Sequence, residues 1–435
     1  MYRFLRKWIS LVLSLLLVFA FAAAGTAENS EVQDWISQAQ EALGQEDYES
    51  SLRCFSLAAE AGDPYAQYMT AGHYFYGLGT EQDNEKAFLY NQLSADQGYV
   101  GAQFNVGWMY FTGTGVEEDI SKAVEYFRLA ADQGEIKPLV YLGNIYYFGM
   151  DVEPDYAKAL EYYRQAADAG DPDGQQMLGD MYFYGNGVEQ SYEKSAEYNL
   201  LAAEQGQTQA LFNLGWLYDN GLGVDQDYEK SMEYYRKAAE QGNDQAFVNI
   251  GWFYDMGLGV EASPETAAEY YRKAADLGNA DGQLNLGMMY ELGTGVEQSY
   301  EKAAEYYQLS ADQGNPYAQA YLGEFYEFGT GVVLDYKKAL EYIRLSAEQG
   351  NDVGLWSMGK AYQFGIGVDV DYEKAAEYYR LSADLGNADG QECLGYLYLE
   401  GLGVEQSREK AVELYKLAAE GGSEEARQQL INLGE

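Results

Sequence analysis

Along most of the chain, apolar positions recur at helical spacing inside a longer period. The stretch from 213 to 243 reads NLGWLYDNGLGVDQDYEKSMEYYRKAAEQGN, and near copies follow 36 and 72 residues later. Ala210, Leu211, Leu214, Gly215 and Tyr218 share one helical face, which predicts an A helix from Thr208 to Asn220. Gly221 and Gly223 end it, because glycine accepts the left-handed turn of a helix C-terminus. Asp227 is placed to cap a B helix, which carries Tyr234, Tyr235, Ala238 and Ala239 and stops at Gly242.

The glycine of each "LG" pair fixes the phase. It recurs every 36 residues from Gly107 to Gly395, and one period earlier the slot holds Ala71. Residues 64–422 therefore hold ten complete units. The Asp227 slot contains Asp83, Asp119, Asp155, Ser191, Asp227, Ser263, Ser299, Asp335, Asp371 and Ser407, all good N-caps. Gly occupies the Gly242 slot from Gly62 to Gly422, and Ala fills the Ala239 slot throughout. No proline falls in a predicted helix interior, where it would cost about 3 kcal/mol.

One such hairpin cannot bury its apolar face alone, whereas a stack of them can. The expected fold is all-α: a solenoid of ten 36-residue helix-turn-helix repeats with capping helices at both ends. Residues 28–63 form the N-terminal capping pair, with Trp35, Ile36, Ala39 and Leu43 facing inward. Residues 423–435 form a largely polar C-terminal capping helix that keeps Ala426 in the small slot. Twelve A-type and eleven B-type helices are expected.

Charge narrows the function. Asp and Glu number 70 against 27 Lys and Arg, for a formal net charge of −43. Such a surface repels phosphate backbones and anionic lipid, so nucleic acid is not an expected partner. The 43 Tyr and 17 Phe exclude a disordered solvating polymer. At the N-terminus, Arg3, Arg6 and Lys7 precede the apolar run Trp8–Ala24 and the small residues Gly25-Thr26-Ala27. This reads as a signal peptide, residues 1–27, cleaved after Ala27, with an uncleaved anchor as the competing reading. Localisation is then periplasmic or extracellular, with no membrane span after cleavage. Cys54 and Cys393 lie nine repeats apart, too far to bond in a solenoid, so packing alone must hold the fold.

Catalytic chemistry finds little to use. His73 is the only histidine, and its slot elsewhere holds Met109, Ile145, Met181, Leu217, Phe253 and Met289, which makes it a core residue. A two-histidine metal site is impossible and no nucleophile elbow is present. The Gly-x-Gly loops are helix punctuation and lack the strand and lysine of a phosphate cradle. No cofactor, metal site or enzymatic activity is expected.

The pattern A-x-x-x-L-G-x-x-Y-x-x-G-x-G-V-x-x-[DS]-Y-x-K-A-x-E-Y-Y-x-x-A-A-x-x-G resembles the Sel-one-like repeat (SLR) family, a branch of the tetratricopeptide-type α/α solenoids. The N-terminal pair looks more like a plain tetratricopeptide hairpin. The resemblance implies a right-handed α/α superhelix with A helices lining its concave face. It also implies an adaptor that binds other proteins and is often bacterial and exported.

Under that resemblance the slot after the repeat glycine faces the groove, and it varies: Trp108, Trp216 and Trp252 among others. Three positions on, Phe75, Phe111, Tyr147 and Phe183 give way to Asp219, Asp255, Glu291 and Glu327, beside Asn213, Asn249 and Asn285. With Trp356, these residues form candidate binding positions: an aromatic N-terminal half and an acidic, Asn-lined middle. The groove would suit an extended peptide with basic and apolar side chains. The plainer alternative is that the aromatics pack between repeats and the acids are solvated. Glycan or cell-wall binding is a second functional reading. A third is the β-lactamase-like activity associated with cysteine-rich relatives, which carry a Cys pair per repeat that this chain lacks.

Overall fold

The computed structural model describes residues 29–435; the expected signal segment and its cleavage site lie outside the described residues. Among these residues there are 23 α-helices and no strand. The chain divides into two compact units, one ending at Ala210 and the other starting at Leu211, so the boundary falls inside helix Thr208–Asn220. The first unit opens with the capping pair Asn29–Gly44 and Tyr48–Glu60. Hairpins then follow, from Pro64–Tyr76 with Asn84–Ala95 to Pro172–Tyr184 with Tyr192–Glu204. The second continues with hairpins such as Ala280–Leu292 with Tyr300–Asp312 and ends at Glu424–Leu433.

The helix starts follow from their caps. Asp227 accepts a hydrogen bond from the Lys230 backbone N–H at 3.0 Å, and Ser299 accepts one from that of Lys302 at 3.3 Å. All ten B-helix cap residues of the repeats make this bond. Each such cap stabilises its helix by about 1 kcal/mol. The capped lysine has a second use. Lys230 Nζ lies 3.7 Å from the Asp227 carboxylate and 5.0 Å above the Tyr218 ring, which stacks on Tyr234 at 5.7 Å. The same Lys-Tyr-Tyr stack recurs at Lys86, Tyr74 and Tyr90 and at Lys374, Tyr362 and Tyr378.

The repeat glycine has a steric cause. A Cβ on Gly215 would stand 2.6 Å from a ring atom of Tyr235, which is fully buried on the B helix of the same hairpin. Tyr163 lies against Gly143, Tyr307 against Gly287 and Tyr379 against Gly359 in the same way. Only a bare backbone lets the ring approach the A helix this closely, so the slot cannot carry a side chain without displacing the ring. Loops tie each hairpin to the one before. Gly295 holds φ +69°, and a Cβ there would lie 2.1 Å from the Pro264 carbonyl oxygen. Val296 and Val332, from the same loop slot, pack onto the core.

His73 is buried, as its slot predicts. Its Nδ1 lies 2.9 Å from the Leu78 carbonyl oxygen, which can only accept, so Nδ1 carries the proton. Cys54 and Cys393 are both free, and they belong to different units.

Candidate protein-binding faces

In the first unit the A helices Pro64–Tyr76, Val100–Thr112 and Lys137–Phe148 border a cleft of about 480 Å³. Its origin is Gly72, which occupies the slot that Trp108 fills one repeat later. A Cβ on Gly72 would meet nothing within 4 Å. Aromatic walls surround the open space. Trp108 meets Phe75 edge-on at 5.9 Å, and Phe104 packs on Tyr141 at 5.8 Å. Phe111 stands behind this wall, edge-on to Tyr141 at 5.6 Å. Asn91 supplies a buried polar spot, accepting from the Asn105 amide at 3.3 Å. Lys137 is the one charged side chain in the lining, and no carboxylate joins it.

In the second unit Asp219, Asp255, Glu291 and Glu327 take equivalent places on successive A helices. The first three lie beside the core tyrosine of their own hairpin: Asp219 by Tyr235, Asp255 by Tyr271, and Glu291 accepting a hydrogen bond from Tyr307. Burial pushes all four carboxyls above the usual carboxylate range. Glu327 differs from the others. It is only 6% exposed and pairs with Lys360 at 3.0 Å. Lys360 Nζ also sits 4.9 Å over the Trp356 ring and 5.1 Å over the Phe328 ring. One repeat earlier the Lys360 slot holds Glu324, whose charge helps to raise Glu291. Among the described residues no cation pairs with Asp219, Asp255 or Glu291.

The remaining candidates fall around this row. Asn249 stands beside the Tyr235 hydroxyl, while Asn213 and Asn285 are half-buried in the same slot. Trp216 and Trp356 are half-buried, and Trp252 is exposed. The structure thus groups Trp108 and Phe111 in the first unit and the other candidates in the second.

The last residue of each A helix, just before the cap glycine, is apolar and exposed in most repeats. Tyr76, Phe148 and Tyr184 form this row in the first unit, and Met256, Leu292, Phe328 and Phe364 in the second. The last four are 60–68% exposed and occupy consecutive repeats. The slot varies in the sequence, and Thr112, Asn220 and Glu400 interrupt its apolar residues, as a surface position allows and a core position does not.

These repeats match the Sel1 repeat family in eleven stretches: 40–63, 64–99, 100–135, 139–171, 172–207, 208–243, 248–279, 280–315, 316–351, 353–387 and 388–423. The chain belongs to the Sel1 repeat family. It is similar to c5321 of uropathogenic Escherichia coli, described as a protective antigen displaying an SLR fold. The two are 33% identical over 96% of this chain and 90% of that one, with a TM-score of 0.73. A Sel1 repeat protein from Oxalobacter formigenes is also 33% identical, over 71% of this chain and 90% of its own, with a TM-score of 0.52. No match was found among curated proteins. Sel1 repeats generally mediate protein–protein interaction and are generally non-catalytic.

The carboxylates give this Sel1 protein a pH signature. Burial raises Asp219, Asp255 and Glu291, so the native state binds protons more readily than the unfolded chain. Stability then falls as pH rises from the unfolded values near about 4 through the raised native ones. The cap residues Asp155 and Asp371 work the other way. Backbone N–H donors hold them low, so their stabilisation is present above about 4 and lost as pH falls through their native values. The thermal midpoint should climb as pH falls from neutrality through the raised native values toward about 4, and drop as pH falls further through the lowered values of the caps. Asp219→Asn with Asp255→Asn should flatten the climb, by less than about 1 kcal/mol per group after solvent screening. A double variant with an unaltered upper limb in a pH-resolved melt would contradict this assignment.

Proposed function

We propose that this protein is an exported, non-enzymatic scaffold that holds partner proteins by extended segments laid along its A helices. The aromatic cleft opened by Gly72 carries the reading. It offers a preformed apolar pocket with few polar groups, the usual character of an anchor site. The uncompensated carboxylates of the second unit add a preference for basic residues in the partner. Export is supported by the N-terminal charge, apolar run and small residues, and by similarity to a bacterial protein described as an antigen.

Gly72→Trp tests the cleft. The slot already accepts Trp108, Trp216 and Trp252, so the fold should survive while the pocket fills. On peptide arrays, peptides with an aromatic or aliphatic anchor should lose about tenfold or more in affinity, the cost of one displaced anchor. Unaltered binding with an intact circular dichroism spectrum would remove the cleft from the mechanism. Exposed Trp252 near Asp255 keeps the glycan reading in view. Glycan arrays run beside the peptide arrays separate the two.

A further inference from the structure

The row Met256, Leu292, Phe328 and Phe364 has no role in the core, and it belongs to the second unit, whereas the cleft belongs to the first. We infer that this ridge docks an extended basic segment of a partner protein, held in a polyproline-type helix with an apolar side chain at every third residue. The inference rests on the scaffold reading but not on the cleft.

Spacing supports the conformation. The ridge residues come from the C-terminal ends of successive A helices. Asp244–Met256 packs on Ala280–Leu292 and Pro316–Phe328 on Asp352–Phe364, while the step between these two pairs is looser, so the spacing applies within the pairs Met256–Leu292 and Phe328–Phe364. Packed helices lie about 8–10 Å apart. A polyproline helix returns to the same face every three residues, about 9.3 Å. An extended strand returns after two residues, about 6.7 Å, and falls out of step with the repeats. An α-helix returns after seven, about 10.5 Å, but needs a groove for its apolar face. Here single side chains project as a ridge, each more than half exposed.

Charge supports the basic character. Asp255 directly precedes Met256, and Glu291 precedes Leu292. The chain also supplies its own precedent at the next step. Lys360 lies against the Phe328 ring while its ammonium meets Glu327. A lysine thus already bridges one ridge side chain and the carboxylate beside it. The equivalent pairings at Glu291–Leu292 and Asp255–Met256 await a cation from another chain.

The test uses the full chain and a fluorescein-labelled peptide of five Leu-Lys-Pro triplets. Controls are a scramble of equal composition, a Leu-Glu-Pro version, and a helical peptide with leucine at every seventh position. The triplet peptide should bind at least tenfold tighter than the scramble at 0.15 M salt, and weaken at 0.5 M. The combined variant Met256→Gln, Leu292→Gln, Phe328→Gln and Phe364→Gln changes only exposed positions and should lose that preference. Gly72→Trp should leave it intact, so failure of the cleft and failure of the ridge are told apart. Equal binding of scramble and triplet would overturn the inference, as would tighter binding of the helical peptide or insensitivity to the Gln variant. Light scattering that shows wild-type self-association abolished by the Gln variant would assign the ridge to a second copy instead.

Discussion

Tyr307→Ala is expected to lower the unfolding free energy by about 3–5 kcal/mol, the range for removing a buried aromatic ring. Tyr307 is fully buried and fills the space that Gly287 leaves on the facing A helix. Its ring packs edge-on to Phe325 at 5.3 Å and against Tyr321 at 5.6 Å. Truncation would open a cavity between two hairpins and strip the half-buried Glu291 of its donor. Tyr307→Phe separates these losses. It keeps the ring and removes only the hydroxyl, so about 1–3 kcal/mol should go. Urea titrations followed by circular dichroism give both values. A loss under about 1 kcal/mol for the alanine variant would mean that the ring is not the support the packing makes it. Neighbour-only contacts should also split the transition, with hairpins on either side of the defect melting separately.

The second large effect belongs to a loop. Gly295→Ala meets two costs: a left-handed backbone, about 1–2 kcal/mol for an L-residue, and a forced contact with the Pro264 carbonyl, about 1–3 kcal/mol. The expected sum is about 2–5 kcal/mol. Gly314→Ala is the matched control. Its φ is +90°, yet a Cβ there meets nothing within 4 Å, so it should show the backbone cost alone. Equal destabilisation of the two variants would mean that the loop yields around the new methyl, and that its contact with the preceding hairpin is soft. Asp151 shows that the backbone can be held in this conformation without glycine: it occupies the equivalent place with φ 50°.

Helix boundaries were legible because caps and glycines are local signals. Thr208–Asn220 and Tyr228–Glu240 fall where Gly221, Asp227 and Gly242 place them. The need for a small residue at Gly215 was legible too, but its partner was not, since Tyr235 is known to face it only once the hairpin closes. Pairing between repeats was harder still. Glu327 reads as one more member of an acidic row until stacking brings Lys360 of the next repeat onto it. The cleft depends on a side chain that is missing, and Gly72 has no meaning until its neighbours' rings are in place. The ridge is not legible in the sequence, because a residue just before a cap glycine reads as the end of a helix rather than as a surface.

Within each unit the principal contacts join helices that are adjacent or next-but-one in the chain. No hairpin depends on a distant one for its fit. Unequal recombination within the gene could therefore insert or delete 36 codons at a time without a compensating change elsewhere. The reach of such a protein can drift by whole steps while the pitch of each step stays the same, which makes length the property that lineages can change most readily.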